Sequence, residues 1–588
     1  MNDEFRRVLL AVALSMMVWI GISYIFPQPK PEDSPPAEAS NQTSQTADIK
    51  QDAAASQAEN LLPRSEAVAV GERLPFENDE IKGSIALQGA SVDDLLLKKY
   101  KVSLDSEEEI VLLSPLNAQG KSSRFEAGWL DIKNQIKEPN AQSVWQADGA
   151  KLTPETPVTL SWDNGEGLTF IQKFEMDDNY LFTVSRSVIN NTDQAVDLIE
   201  YQQVVSVGEQ DVNRLVRTGA VSYFNELYNE RYNKMEAGYR EDFPKKPKDS
   251  EQVQGTVKGG WMGLSDRYWL TAVLPAENQE GQAYFRRSGD SSNPIYQAVY
   301  KNNTITIAPQ SQSEASLGRF YSGAKEYNVM VDVSKTYNVD RFQRAIDFGL
   351  FYYITQPFLK ILTWLYHHIG NMGIAIISLT VLVKLVLFPL AFKSYKSMAR
   401  MKTLQPKMQA LKEKYGDDRQ GMQQATMELY KKEKVNPAAG CLPMLIQIPI
   451  FFSLYKVLNI AIEMRHAPFF GWIHDLSSPD PTSWLNAFGL LPWSGMPSDW
   501  APAFSMINIL ALGVWPLLMG VSMYLQQTLN PTPADKQQAM IFKWLPVVFT
   551  FMMGGFAAGL VIYWTANNIL TFGQQWVINR NINKEAKA

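Results

Sequence analysis

The chain has 588 residues, too many for one ordinary domain, so several domains are expected. Its 55 Lys and Arg and 61 Asp and Glu give a net charge of −6, but they are unevenly spread. Residues 27–340 carry 31 basic against 47 acidic side chains, and the remainder carries 24 against 14. This partition fits an acidic soluble portion joined to a basic, membrane-embedded portion. The acidic portion argues against general nucleic-acid binding, and no specific nucleic-acid sequence is expected as a partner.

Signatures of enzymes and cofactor sites are missing from the sequence. A single cysteine, Cys441, excludes an intramolecular disulfide, and we expect its thiol to be buried and inert. The four histidines lack the spacing of a zinc site, so no metal is predicted. Neither a phosphate-binding GxxxxGK[ST] loop nor a GxSxG nucleophile elbow occurs. The sequence therefore predicts a protein that is not an enzyme and that needs no cofactor.

The N-terminal segment, residues 1–26, predicts a transmembrane anchor. Arg6 and Arg7 precede an uncharged apolar run of about nineteen residues, longer than the core of a typical signal peptide. No small-residue cleavage site follows, so an uncleaved anchor with a cytosolic N-terminus is expected. Residues 27–66 are rich in Pro, Ser, Gln, Ala and acidic residues, and this composition predicts a disordered tether.

Residues 67–335 alternate between apolar and polar positions in short segments such as LTFIQKFEM, separated by turn clusters such as DNGEG. This period of two predicts a mainly antiparallel β-sandwich. Its aromatic residues Trp261, Tyr268 and Trp269 could line a sugar-binding cleft, but packing in the core is the commoner role and is favoured.

Residues 336–370 carry apolar residues at helical spacing, mixed with charges such as Arg344, Asp347 and Lys360. This mixture predicts an amphipathic helix along the outer membrane–water interface. Pro357 is expected to interrupt it.

Residues 371–391 are almost wholly apolar and, at about 1.5 Å per residue, long enough to cross a bilayer. They contain one full charge, Lys384, and Thr380 lies one helical turn away on the same face. A cation within a span costs about 2.5–3.5 kcal/mol and normally faces a wet cavity or a partner. This favours a functional cation. Snorkelling is the open alternative, because Lys384 lies about seven residues from the expected cytosolic end.

Residues 392–437 carry eleven basic and five acidic side chains, so they should stay in the cytosol. Helical patterning on both sides of residues 415–418 predicts a helical hairpin. A methionine stripe through it is interpreted as a packing seam, with an adaptable partner surface as the alternative. The methionines are Met398, Met401, Met408, Met422 and Met427. The basic residues of this docking hairpin are Lys407, Lys412, Lys414, Arg419, Lys431 and Lys432.

Four further spans complete the prediction, at 438–463, 505–526, 540–556 and 559–578. The apolar run near the C-terminus is too long for one crossing, and its glycines mark the turn between the last two spans. Lys456, near the outer end of 438–463, is expected to snorkel. The connecting segments are a periplasmic loop at 464–504, a cytosolic loop at 527–539 and a basic cytosolic tail at 579–588. Six spans with both termini in the cytosol satisfy the charges of the loops.

Several long blocks carry a resemblance to a known family. They are LQPKMQALKEKYGDD, EKVNPAAGCLPMLIQIPIFFSLY, FGWIHDLSSPDP, PLLMGVSMYLQQ and GLVIYWTANNILTFGQQ, in order across residues 340–580. In these blocks the chain resembles the YidC/Oxa/Alb family of membrane protein insertases, in its Gram-negative form. The resemblance implies a polytopic α-helical membrane protein with six transmembrane helices, five of them forming the insertase core around a hydrophilic groove. It also implies a large periplasmic β-supersandwich domain.

The resemblance also implies which residues contact the inserted protein, the client. Thr380 and Lys384 would line the groove on the first core span, and Gln447 would do so on the second. Tyr563 and Trp564 occupy the positions of an aromatic pair that contacts the passing segment. The chain departs from the family twice, with Lys384 where arginine is usual and Trp564 where a second tyrosine is common. Arginine stays protonated almost anywhere, whereas a lysine in a dry site can lose its proton.

The function implied is insertion, folding and assembly of nascent membrane proteins in the bacterial inner membrane, alone or with the Sec translocon. The ribosome or signal-recognition machinery would dock on the hairpin and tail, and membrane lipids would surround the spans. Two alternatives are a secondary transporter of an anionic solute and an envelope receptor that binds glycans. A transporter predicts inverted repeats, which the sequence does not show. The receptor hypothesis leaves Lys384 and the polar residues of the groove without an explanation.

Overall fold

The computed structural model describes residues 61–133, 135–208, 218–224, 226–227, 250–289, 293–416, 418–433, 442–483, 488, 512–530 and 536–585. The predicted anchor, nearly all of the tether, Cys441 and the first part of the predicted span 505–526 lie outside these residues. The described chain divides by sequence into an N-terminal β-rich half and a C-terminal helical half.

Nineteen described strands form the first half. They are β1 Arg73–Glu77, β2 Ile81–Ala86, β3 Ser91–Lys101, β4 Glu109–Leu113, β5 Ser122–Asp131, β6 Gln146–Ala147, β7 Val158–Asp163, β8 Leu168–Met176, β9 Leu181–Asn190, β10 Val196–Val207, β11 Gly219–Tyr223, β12 Glu226–Leu227, β13 Ser250–Lys258, β14 Trp261–Ser265, β15 Trp269–Pro275, β16 Glu280–Gly289, β17 Pro294–Ile307, β18 Ser311–Gln312 and β19 Ser316–Ala324.

Ten described α-helices flank and follow the strands. They are α1 Arg64–Val68, α2 Tyr327–Thr336, α3 Tyr352–Ile369, α4 Met372–Thr403, α5 Gln405–Tyr415, α6 Arg419–Lys432, α7 Leu442–Ile460, α8 Val514–Thr528, α9 Lys536–Met553 and α10 Ala558–Glu585. Two 3₁₀ turns lie at Phe342–Ala345 and Ile462–Met464.

The strands form two antiparallel sheets, which confirms the predicted sandwich architecture. The first runs β1-β2-β3-β5-β10-β17-β16-β13-β12, with β4 beside β3, and the second runs β11-β14-β15-β19-β9-β8-β7-β6, with β18 beside β9. Strand β8 shows why the alternation was informative, since every second residue from Leu168 to Met176 is buried. One of these is a glutamine, Gln172, whose amide donates to the Ala127 carbonyl at 3.0 Å and so joins the two sheets.

Aromatic rings fill the space between the sheets. Phe320 stacks on Phe125 and on Phe182, with ring centroids 3.9 and 4.5 Å apart. Trp261 and Tyr268 are buried in the same core, as predicted. Trp269 is half-buried and packs against it. These three aromatic residues therefore contribute packing to the sandwich.

The chain leaves the sandwich at Lys325, which is anchored by polar contacts. Its buried Nζ donates to the Ser265 hydroxyl at 3.1 Å and to the Asp266 carbonyl at 2.6 Å. A buried ammonium is costly unless it is hydrogen-bonded, so these contacts fix where the strand ends and the helices begin.

Glu326, the residue before α2, ties both sheets to the helical half. Its carboxylate accepts hydrogen bonds from the Tyr100 hydroxyl at 2.9 Å and from the Tyr180 hydroxyl at 2.6 Å. Burial and the charge of Glu326 raise the pKa of both phenols above the ordinary value. Both hydroxyls therefore stay protonated and act as donors.

A second contact joins the sandwich to the C-terminal end of α7. Arg267 Nε donates to the Asn459 carbonyl at 3.0 Å, and its Nη2 lies 3.4 Å from Asn459 Oδ1. Just beyond α7, Arg465 Nη2 donates to the Val102 carbonyl at 2.9 Å, and its guanidinium lies 5.8 Å from the Trp269 ring centroid. We call these contacts the sandwich–α7 clamp.

Lys456, on α7, contacts the segment between the first 3₁₀ turn and α3. Its Nζ lies 2.6 Å from Asp347 Oδ2, and both side chains are largely shielded from solvent. The expectation that Lys456 snorkels is therefore corrected: an ion pair satisfies it inside the protein.

The helical segments differ in extent from the sequence expectation. The predicted interfacial segment contains a 3₁₀ turn and α3, and Pro357 lies inside α3 without ending it. Helix α4 begins at Met372 but continues to Thr403, twelve residues past the predicted end of the span. By length and composition, it is the one described helix able to cross a membrane, and shorter apolar helices lie at Ile446–Ile460 and Ala539–Met553.

Removing the Arg267 contacts of the clamp should weaken the attachment of the sandwich to α7 without unfolding the sandwich. Arg267→Ala deletes two hydrogen bonds worth about 1 kcal/mol each, so we expect protease cleavage between α2 and α3 to become about thirtyfold faster. The measurement is limited proteolysis of the full chain in detergent. The control is Lys133→Ala, which removes an exposed ion pair with Asp197 inside the sandwich. Equal cleavage rates for Arg267→Ala and the control would contradict a stabilising clamp.

Candidate functional site

Lys384 is held against a neighbouring helix. It lies on α4, and its half-buried Nζ donates to Thr571 Oγ1 on α10 at 2.8 Å. Most apolar residues after it on α4, including Leu385, Val386 and Phe388, are exposed. The amine thus points toward α10, away from the exposed apolar side of its own helix.

Thr380 lies one turn before Lys384 but uses its hydroxyl differently. The side chain is buried, and Oγ1 donates to the Ile376 carbonyl within α4 at 2.8 Å. Its single hydroxyl hydrogen is therefore engaged, and only its oxygen lone pairs are left to accept.

Gln447 and Tyr563 meet directly. Gln447, on α7, donates through Nε2 to the Tyr563 hydroxyl on α10 at 3.0 Å. Tyr563 is buried and Gln447 is half-buried. The structure thus joins two residues that the sequence assigned to one groove from positions 116 residues apart.

Trp564 makes different contacts from its neighbour. Its ring centroid lies 4.5 Å from that of Phe451 on α7 in an edge-on arrangement, and 5.6 Å from that of Phe549 on α9. The aromatic pair is therefore divided. Tyr563 binds an amide, and Trp564 packs among apolar rings.

Helix α10 carries polar partners in addition to Tyr563, and sequence reasoning missed these others. Tyr563, Asn567, Thr571 and Gln575 recur every four residues, so they are successive neighbours along the helix surface, and all four are buried. Two of them contact predicted site residues. The available signal was this spacing of polar side chains within an apolar segment, which marks functional positions in membrane helices.

Polar residues of α10 also bond to α8 and to the segment just after it. Asn568 Nδ2 donates to the Ser522 hydroxyl on α8 at 3.1 Å. Gln575 Nε2 donates to Asn530 Oδ1, just past α8, at 3.2 Å. Helix α10 packs along both α4 and α8, so its polar groups are shared between them.

The predicted docking hairpin is formed by α5 and α6. Its open end is closed by an ion pair between Lys407 and Glu433, with Nζ and Oε1 2.6 Å apart. Gly416 lies in the turn with φ +51°, and Asp418 caps α6 by accepting from the Gly421 amide at 3.0 Å.

The basic residues of the hairpin face solvent where the structure describes them. The exposed side chains are those of Lys407, Lys414, Lys431 and Lys432. The side chains of Lys412 and Arg419 lie outside the described part. None of the five methionines of the stripe is fully buried, and Met427 is 49% exposed. The stripe is therefore not an enclosed core. Within the described residues no group of His, Cys, Asp and Glu could hold a metal ion.

Comparisons with known proteins cover nearly the whole chain. A family model described as the YidC periplasmic domain matches residues 73–361, and one described as 60Kd inner membrane protein matches residues 364–585. The membrane protein insertase YidC of Sinorhizobium medicae is 42% identical, covering 98% of this chain and 96% of the relative. That of Rhizobium meliloti is 43% identical with the same coverage. A crystal structure of an active YidC insertase is 17% identical, with a TM-score of 0.34, covering 86% of this chain and 95% of that chain.

The Gln447–Tyr563 bond gives a prediction about stability. Tyr563→Phe leaves the Gln447 amide without its acceptor, so the free energy of unfolding should fall by about 1 kcal/mol. Adding Gln447→Leu should recover most of this loss, because both polar partners are then gone. Unfolding of the full chain in detergent provides the measurement, with the exposed Tyr524→Phe as control. If Tyr563→Phe is as stable as the wild type, the bond contributes nothing.

Proposed function

The chain belongs to the YidC family of membrane protein insertases, and on that premise we propose that nascent membrane proteins enter the lipid along a hydrophilic groove beside α10. Its activity is membrane insertion, not enzymatic catalysis. One observation carries the proposed path: Lys384, a cation within an apolar helix, is held against α10 by Thr571.

We propose that α4, α7, α8, α9 and α10 are the five core spans and that residues 1–26 form a sixth. Both termini then lie in the cytosol and the sandwich in the periplasm, which agrees with the acidic and basic halves of the chain. Helix α3 would lie along the outer interface. Leu350 and Tyr353, exposed by 90% and 88% at its start, would face the headgroup region.

The groove would lower the cost of moving polar segments across the bilayer. An unassisted segment would cross about 30 Å of hydrocarbon, where polar groups lose their water. Lys384 would attract acidic residues of the client, while Gln447 would offer hydrogen bonds and Thr380 a hydroxyl oxygen. Tyr563 and Trp564 would contact the passing segment. Among the described residues Lys384 forms no ion pair, so water in the groove would hydrate it.

The hydrophobic helix of the client would leave the groove along apolar surfaces. Exposed apolar side chains lie on α7, including Ile448 and Phe452, and on α9, including Trp544, Val547 and Val548. These are the second and fourth core spans. Because the sequence has no nucleotide-binding loop, the energy would come from client hydrophobicity and from the membrane potential, about 2.3 kcal/mol per charge per 100 mV.

The docking hairpin would receive the ribosome, the signal-recognition machinery or the client. Its exposed lysines and net positive charge support contact with ribosomal RNA or anionic lipid. We also propose that the protein works alone or with the Sec translocon.

The groove cation gives a direct test. Lys384→Ala should slow insertion of clients with acidic exported segments by about tenfold, because the attraction and the hydrogen-bond donor are lost together. Lys384→Arg should restore insertion, since it keeps the charge. The measurement is protease mapping of a small client in vesicles that contain each variant. Insertion at the wild-type rate by Lys384→Ala would contradict the proposed role of Lys384 as the groove cation.

The hairpin gives a second test, with matched lysines elsewhere. Replacing three exposed hairpin lysines with glutamine should weaken ribosome binding about tenfold and flatten its salt dependence. The three are Lys414, Lys431 and Lys432. The control set carries the same substitution on the sandwich surface, at Lys133, Lys151 and Lys173. Cosedimentation of the full chain with ribosomes is the measurement, and equal loss in both sets would exclude a docking role.

A further inference from the structure

The hydroxyl of Thr571 can act toward Lys384 only as an acceptor. Its one hydrogen is donated to the Asn567 carbonyl within α10, with 2.6 Å between the heavy atoms. The oxygen lone pairs then accept from Lys384 Nζ at 2.8 Å. Because Thr571 is buried and β-branched, its rotamer is restricted by the helix. The acceptor is therefore fixed in place before a client arrives.

Lysine needs such a fixed acceptor more than arginine does. Its side chain has four rotatable carbons and presents a point charge, whereas a guanidinium is a rigid planar fork. Without a partner, the ammonium of Lys384 could extend along α4 toward water. The bond to Thr571 holds it at one height on α10. That height is about 12 Å along the helix from Tyr563 and about 6 Å from Gln575.

The neutrality of Thr571 matters for the charge that a client meets. A carboxylate in its place would form an ion pair with Lys384 and compete with an acidic client segment. A hydroxyl orients the ammonium while leaving its charge uncompensated by the protein. Two further ammonium hydrogens stay available for hydrogen bonds to a client carboxylate or to water.

We infer that Thr571 is the positioning residue of the groove cation, setting the depth at which Lys384 meets an acidic residue of the client. This inference rests on the proposed function. The Gln447–Tyr563 bond lies on one side of this point along α10, and the Gln575–Asn530 bond lies on the other. Thr571 thus places the charge between two fixed polar contacts.

The chain offers a matched control on the same helix. Thr565 is also buried and also donates its hydroxyl hydrogen four residues back, to the Val561 carbonyl at 2.8 Å. Thr565→Val therefore removes the same kind of intrahelical hydrogen bond as Thr571→Val, but it leaves the contact with Lys384 intact. Valine keeps the branched shape of threonine in both cases.

The experiment measures insertion of two clients, one with an acidic exported segment and one with a neutral segment, into vesicles containing the full chain. We expect Thr571→Val to slow the acidic client about fivefold and the neutral client much less. Thr571→Ser should restore insertion, and Thr565→Val should match the wild type. In a Lys384→Ala background, Thr571→Val should cause no further loss, because the two residues act as one unit.

Several outcomes would overturn the inference. Equal impairment by Thr571→Val and Thr565→Val would indicate a packing effect, and further loss in the Lys384→Ala background would show that Thr571 acts independently. If Lys384→Ala is impaired while Thr571→Val inserts normally, the positioning role fails and the proposed cation role stands. If Lys384→Ala itself inserts clients normally, the proposed role of the groove cation is wrong, and with it the positioning role of Thr571. Rates are normalised to folded protein, measured as the protease-resistant fraction.

Discussion

Polar side chains in an apolar helical bundle need partners on neighbouring helices, because hydrocarbon offers none, and this constraint organises the C-terminal half of the chain. Helix α10 supplies most of those partners. It bonds Gln447 on α7 through Tyr563, Lys384 on α4 through Thr571, and Ser522 on α8 through Asn568. Three helices that are distant in sequence are thereby tied to one. The walls of the proposed groove would therefore be set by hydrogen-bond geometry as well as by apolar packing.

The sandwich is attached to this bundle by hydrogen bonds that involve charged side chains. Glu326, where the helices begin, accepts hydrogen bonds from two tyrosines of the sandwich. Arg267 donates a hydrogen bond to the last turn of α7. Each contact is a hydrogen bond that involves a charged group, and such bonds are geometrically specific. The sandwich is therefore held against the helical half by named contacts, in addition to being joined to it through the chain.

The sequence predicted the sandwich from its alternation and singled out Lys384 from its charge, whereas Gln447, Tyr563 and Trp564 were assigned from the family resemblance. Long-range geometry was not predicted. Alternation in segments such as LTFIQKFEM indicates a strand with one buried face, but it does not show that β10 lies between β5 and β17. Lys384 stood out because it is a charge in an apolar run, whereas Thr571 is an ordinary polar residue until α4 and α10 are placed side by side. The extent of α4 was missed because the residues after 391 change in polarity but still favour a helix.

The length of α4 has a mechanical consequence. The helix runs about 48 Å from Met372 to Thr403, carries Lys384 and ends just before α5, the first helix of the docking hairpin. Pro389 lies between Lys384 and α5, and it removes one backbone hydrogen bond of α4. Pro389 is therefore the point between Lys384 and the hairpin at which α4 bends most easily. Under the proposed topology, a partner bound to the hairpin would change its angle of approach without displacing Lys384.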